Sequence, residues 1–338
     1  MEQVLAKWES LSASSGVLRF LDINLRSIGQ VMFQNNPLSG ILFLAAIVWG
    51  SYAAGVPRVA IASILAVVVA NLAAQWLHVD TESLHSGLFG FNGILVGLAL
   101  ATFLTPGPLL WVYVILGAAV SVVVMLGTIN VVKPWGGALT FPFVLTTWLL
   151  LLATYGFSGL TGAALPTGNV VTAFQPYHGS PLQPIDLVQG VFLSISQVFL
   201  KASSVAALLL LAGLAVSSLA AAAFALGGAI LAVLTAHLFG AESDLIKGGL
   251  LGFSPVLTAI ALGTVFYQPS WRVVAYTILA TVFTVIVQSA VNVALTPFAI
   301  PALTAPFVLV TWLFLLPRQR LEGVPEGARD IEKPATVT

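Results

Sequence analysis

LTFPFVLTTWLLLL at residues 139–152 returns as LTAPFVLVTWLFLL at residues 303–316, with 11 of 14 positions identical at a constant offset of 164. A tandem duplication is the first fact to explain. Both copies are apolar segments able to enter a bilayer, and duplicated membrane halves commonly place a substrate path between them.

Composition agrees. Of 338 residues, 59% are hydrophobic and 7% charged, against about 25% charged in a soluble domain. Apolar stretches approaching the ~20 residues needed to cross ~30 Å of hydrocarbon recur along the chain, which reads as one polytopic membrane domain. The opening MEQVLAKWESLSASS lacks the apolar core of a signal peptide and reads as an exposed, uncleaved N-terminal segment. Twelve basic residues balance twelve acidic ones. No like-charge run is present to grip nucleic acid, so the expected cargo is neutral. The chain has no cysteine and four scattered histidines, which argues against disulfides, metal sites and any metal cofactor.

Long apolar runs without alternation predict helices, since lipid cannot satisfy free backbone groups. In the first half we expect crossings near 38–54, 59–77, 86–103, 109–126 and 138–155. In the second they are expected near 205–222, 225–238, 248–266, 273–287 and 302–316. Five crossings per copy force the second copy to enter from the opposite side, giving inverted symmetry about an axis in the membrane plane. The expected division is a first repeat at 1–156, a Gly/Pro-rich linker at 157–184, a second repeat at 185–317 and a polar tail at 318–338. Arg318 and Arg320 after the last crossing favour a cytoplasmic C-terminus.

Two amphipathic pieces, FLDINLRSIGQVMF (20–33) and IDLVQGVFLSISQVFL (185–200), precede the first crossing of each half. At 1.5 Å per residue they reach only about 21–24 Å, so they either lie on the surface or dip in and return. Their matched placement favours re-entry. Gln30 and Gln197 align as mates, and an amide offers an acceptor and two donors without the desolvation cost of a charge.

GLFGFNGILVG (87–97) aligns with GLLGFSPVLTA (249–259). Gly93-x-x-x-Gly97 fits close helix packing; Asn92, or Ser254 and Pro255, also fits a loosened ladder beside a polar cavity. Thr140 and Thr304 each stand two residues before a proline, Pro142 and Pro306. Each can cap its helix or face a polar path.

These residues resemble the urea transporter family. Asn36-Pro37-Leu38-Ser39-Gly40 matches its Asn-Pro-x-Ser-Gly stretch, and Gly87-Leu88-Phe89-Gly90-Phe91-Asn92 its Gly-Leu-x-Gly-x-Asn stretch. Its Leu-Pro-x-x-Thr-x-Pro-Phe box is nearly complete at 300–307 and partial at 137–143, with Ile300 for the leucine and Gly137 for the proline. Ser203-Ser204 stands where a second Asn-Pro would fall.

The resemblance implies an all-α polytopic membrane protein of two homologous inverted repeats. Each has five transmembrane helices and a short re-entrant pore helix. It implies passive urea flux through one pore per protomer of a homotrimer in the plasma (inner) membrane, with lipid and urea as partners and no cofactor. Carried over by position, the pore glutamines are Gln30 and Gln197, the central threonines Thr140 and Thr304, and the apolar slot Phe33, Val198, Leu88 and Leu250.

An ion-coupled carrier of a small neutral solute is the alternative, with Asp22, Arg26, Asp186 and Lys201 as the ionisable groups to weigh. Gly156-Phe157-Ser158-Gly159 fits a permissive nucleophile pattern with His237 as base. Ser158 has no counterpart in the second half, and the chain reads as no enzyme.

Overall fold

The computed structural model describes residues 2–169 and 181–317; residues 170–180 of the expected linker and the tail at 318–338, with Arg318 and Arg320, lie outside the described residues. Among the described residues regular structure is helical, apart from one isolated antiparallel bridge between Leu104 and Gly162.

The first set of helices is α1 (Glu2–Ser14), α2 (Gly16–Gln30), α3 (Pro37–Ala53), α4 (Pro57–Trp76), α5 (Thr81–His85), α6 (Phe91–Phe103), α7 (Pro108–Val132) and α8 (Phe141–Ala153). The second is α9 (Pro184–Ser196), α10 (Ser204–Ser217), α11 (Leu219–Leu238), α12 (Ser243–Lys247), α13 (Phe253–Ile260), α14 (Trp271–Leu295) and α15 (Ala305–Leu315). From α2 onward the sets match one to one. Helices α4 and α11 have 20 residues each, α7 and α14 have 25, and α5 and α12 have five.

The N-terminal segment is not a loose extension. It forms α1, held on α2 by Trp8 Nε1 donating to Asp22 Oδ1 at 2.6 Å and by an Arg26–Glu9 contact of 3.5 Å.

Each expected crossing contains a helix, but their lengths differ. Helices α4, α7, α11 and α14 are long and apolar enough to span a bilayer by themselves. Those at 86–103, 138–155, 248–266 and 302–316 begin late, at Phe91, Phe141, Phe253 and Ala305. With 13 residues, α8 reaches about 20 Å, well short of ~30 Å of hydrocarbon. The expected boundary between 222 and 225 falls earlier, at Ser218. Its hydroxyl accepts from Ala221 N–H at 3.1 Å and starts α11. The alanine run 220–223, composed of the best helix former, continues that helix. Helix α9 passes through a short turn at Gln197–Phe199 and bends by 72° into α10, the geometry of a segment that dips and returns.

Mated positions share backbone conformation. Phe33 and Leu200 are left-handed (φ 64° and 55°), as are Leu139 and Leu303 (both 51°) and Gly87 and Gly249 (76° and 67°). At both glycines the reason is a close approach: a Cβ on Gly87 would meet the Ser27 backbone nitrogen, and one on Gly249 that of Ser194. These turns press α5–α6 and α12–α13 against α2 and α9.

Gly87→Ala and Gly249→Ala therefore combine a disfavoured φ with a backbone collision, and each should destabilise the fold by more than ~1 kcal/mol. Thermal denaturation of the detergent-solubilised variants checks this. A melting temperature equal to the parent's would contradict the packing described.

Candidate functional site

Helices α8 and α15 both start in the buried interior of the molecule. Thr140 and Thr304, the residues before their first turns, face each other with hydroxyl oxygens 2.6 Å apart. Neither side chain caps its own helix. The hydroxyls serve each other instead. A bonded pair of hydroxyls uses one proton and one lone pair, leaving one O–H and three lone pairs for other partners. The positive ends of both helix dipoles converge there as well.

Crossed bonds brace the junction. Trp148 Nε1 donates to the Pro301 carbonyl and Trp312 Nε1 to the Gly137 carbonyl, each at 2.9 Å. Trp148 and Trp312 are mates at offset 164, as are Gly137 and Pro301. Residue i of one copy thus meets j of the other, and j's mate meets i's: the reciprocity of a two-fold relation passing through the threonine pair.

The glutamines occupy matching places. Gln30 Nε2 donates to the Ser86 carbonyl at 2.8 Å and Gln197 Nε2 to the Gly248 carbonyl at 3.1 Å. Each amide closes the turn before α6 or α13 and keeps its carbonyl oxygen for another partner. Gln197 lines a cavity of about 530 Å³ together with Leu200, Leu250, Phe253 and Leu303. A second cavity, of about 430 Å³, is lined by Phe266 and Lys133 among others.

The slot residues divide. Leu250 is 38% exposed on the cavity wall, Leu88 is half-buried, and Phe33 sets its ring edge-on to Phe307 at 6.1 Å. Val198 is 2% exposed within the apolar core, and it is Leu200, sharing Phe33's left-handed backbone, that lines the cavity. The aligned segments themselves pair Phe33 with Leu200; the slot residue carried over from the resemblance, Val198, lies two positions before it.

With this geometry in view, relatives are informative. The Urea transporter family profile matches residues 21–319. The chain belongs to the urea transporter family. It is 28% identical over 315 residues to sheep Urea transporter 1, covering 92% of this chain and 80% of that protein. It is 27% identical to the goat protein over the same length and coverage, and 28% identical to the rat protein over 306 residues, 89% of this chain and 77% of the relative. The family's members are transporters rather than enzymes. Accordingly Ser158 is an exposed loop residue and His237 an exposed one at the end of α11.

The motifs carrying the family resemblance build the scaffold. Asn36 caps α3, its Oδ1 accepting from Leu38 N–H at 2.9 Å, and Pro37 fills the first turn, where no donor is needed. Ser39 Oγ donates to the Gly213 carbonyl on α10 at 2.7 Å, and Gly40 lies against the Leu25 carbonyl of α2. In the second copy Ser203 takes over the cap, accepting from Ala206 N–H at 3.3 Å. Gly137 for the box proline costs nothing at this point, because the position contributes a carbonyl. Gly93 and Gly97 serve packing, facing Ala70, Ala66 and Ala62 of α4.

Asn92 tightens the helix start rather than loosening it. Its Oδ1 accepts from Phe143 N–H at 3.0 Å and its Nδ2 donates to the Leu139 carbonyl at 3.3 Å, spanning the start of α8. In the second copy Ser254 turns away to Gln288 Oε1 at 2.6 Å, and among the described residues no side chain spans Leu303 and Phe307. Gln288 and Asn292, missed in the sequence, line the cavity that holds Gln197. The i, i+4 spacing of two amides in an apolar helix was the available signal.

Three of the four ionisable groups weighed above are ion-paired: Arg26 Nε with Asp22 Oδ2 at 2.7 Å, and Asp186 Oδ2 with Lys247 Nζ at 3.2 Å. Lys201 lays its stem against Gly50 and has no ion pair among the described residues. Exposed Asp80 caps α5, and the Ser83 backbone N–H holds its carboxyl below the ordinary value. No group of metal-ligating side chains is present among the described residues.

Asn92→Ala should leave a buried N–H and carbonyl unpaired and cost about 1–3 kcal/mol. Thermal stability and urea flux of the variant, compared with Ser254→Ala, test this. Equal stabilities for the two would contradict the bridging role of Asn92.

Proposed function

We propose that this chain carries urea passively across the plasma (inner) membrane. The path runs through one pore per protomer of a homotrimer, at the interface of two inverted repeats related by an axis in the membrane plane. The observation that carries this reading is the Thr140–Thr304 hydroxyl pair at the meeting point of two half-length helices. Polar backbone at membrane depth is tolerated where it lines a cavity.

Urea is flat, neutral and dipolar. Losing its water costs several kcal/mol unless other partners replace it. In this mechanism Gln30 and Gln197 receive it at opposite mouths. Phe33 and Leu88 on one side, and Leu250 with Leu200 in place of Val198 on the other, orient it edge-on. The threonine pair meets it at the centre. Converging helix dipoles favour its carbonyl oxygen there and repel cations, an electrostatic barrier to proton and sodium leakage.

Ion coupling is the alternative. The pairing of Arg26 with Asp22 and Lys247 with Asp186 supports the passive reading, since charges held by each other do not form a relay, and the buried Lys201 has no acidic partner among the described residues. Urea uptake into proteoliposomes should therefore be unchanged by imposed sodium or proton gradients. Gradient-driven accumulation would establish the carrier instead.

Thr140→Val with Thr304→Val removes both hydroxyls at nearly constant volume and should lower urea permeability by about tenfold, the equivalent of a lost hydrogen bond or two. Stopped-flow light scattering measures this, and parental flux in the folded double variant would remove the threonines from the path.

A further inference from the structure

The two mouths are chemically unequal. On α14 and the turn that follows it, Gln288, Asn292 and Thr296 succeed one another every four residues, about 6 Å apart along the axis, and all three line the cavity that holds Gln197. They are linked: Ser254 Oγ donates to Gln288 Oε1 at 2.6 Å, Gln288 Nε2 to Asn292 Oδ1 at 3.2 Å, and Thr296 Oγ1 to the Asn292 carbonyl at 2.8 Å. Gln288 is 1% exposed at the inner end and Asn292 half-buried further out. Helices α7 and α14 have equal length and align at offset 163, so the first-copy counterparts are Met125, Ile129 and Lys133. That face offers a thioether, an alkyl chain and a cation.

We propose that Gln288, Asn292 and Thr296 form a urea-binding rail present only on the second-copy side, a subsite that takes urea from the cavity and delivers it to the threonine junction. This rests on the urea-pore reading above. Asn292 Nδ2 has no partner among the described residues, and Gln288 Nε2 donates one of its two protons. A primary carboxamide and urea form a two-point ring, each giving one N–H and one carbonyl, and Gln197 in the same cavity adds a third amide. Beyond the inner end lie the Leu303 carbonyl and the Phe307 N–H. Their counterparts in the first copy are occupied by Asn92, and here no side chain takes them among the described residues.

The first copy supplies the substitutions. Gln288→Met with Asn292→Ile should raise the half-saturating urea concentration at least threefold and lower flux at low urea about fivefold in stopped-flow measurements on proteoliposomes. If burial of Gln288 makes the pair misfold, Asn292→Ile alone, at the half-buried wall, should still raise half-saturation. An unchanged half-saturation in a folded variant overturns the rail. Thr140→Val with Thr304→Val, measured in parallel, separates the failures: loss of flux there with no effect at Gln288 and Asn292 removes the rail alone. Parental behaviour in both sets removes the pore reading as well.

Discussion

Two half-length helices meeting head to head set the terms for the rest of the chain. Helices α8 and α15 start inside the molecule, so the residues before their first turns bring two threonine hydroxyls together in an otherwise apolar interior. The hydroxyls bond across the junction and the indoles of Trp148 and Trp312 reach over to the opposing copy's carbonyl, binding the halves at the point where the backbone is least regular. Every other matched pair, from the left-handed leucines at 139 and 303 to the amides of Gln30 and Gln197, shapes or surrounds this junction.

Much of this was legible in the sequence because a duplication repeats its physics. The Thr-x-Pro-Phe copies located the junction, and the paired glutamines were found at matching places. What could not be read follows from insertions and register. The copies align at offset 167 through Gln197 but at 162 from the start of α11. The second copy reaches that helix with five fewer residues, over a single serine where the first uses Ala54, Gly55 and Val56. Hydrophobicity does not register such a deletion among alanines and leucines, so the boundary was placed late. Val198 and Leu200 differ by two positions in an apolar run, and only the left-handed turn decides which reaches the cavity.

The motifs that bear the family resemblance act largely one step away from the threonine junction. Asn36 and Pro37 begin a helix, Ser39 ties it to α10, and Gly40 and Gly87 let α2 approach α3 and the turn before α6. Rigid contacts of this kind hold the re-entrant segments against the junction, as a site built from loops and helix ends requires.

The amide that sits on α6 in one copy sits on α14 in the other: Asn92 beside Met125, Ser254 beside Gln288. Since both arrangements descend from one duplicated ancestor and differ at both positions, at least two substitutions separate them, and their order was constrained. An ancestor carrying both amides would have had only to fit extra volume, whereas one carrying neither would have left the helix start without a polar neighbour. Divergence between the halves was therefore easiest through gain before loss, and exchanging single residues between them today retraces the harder route.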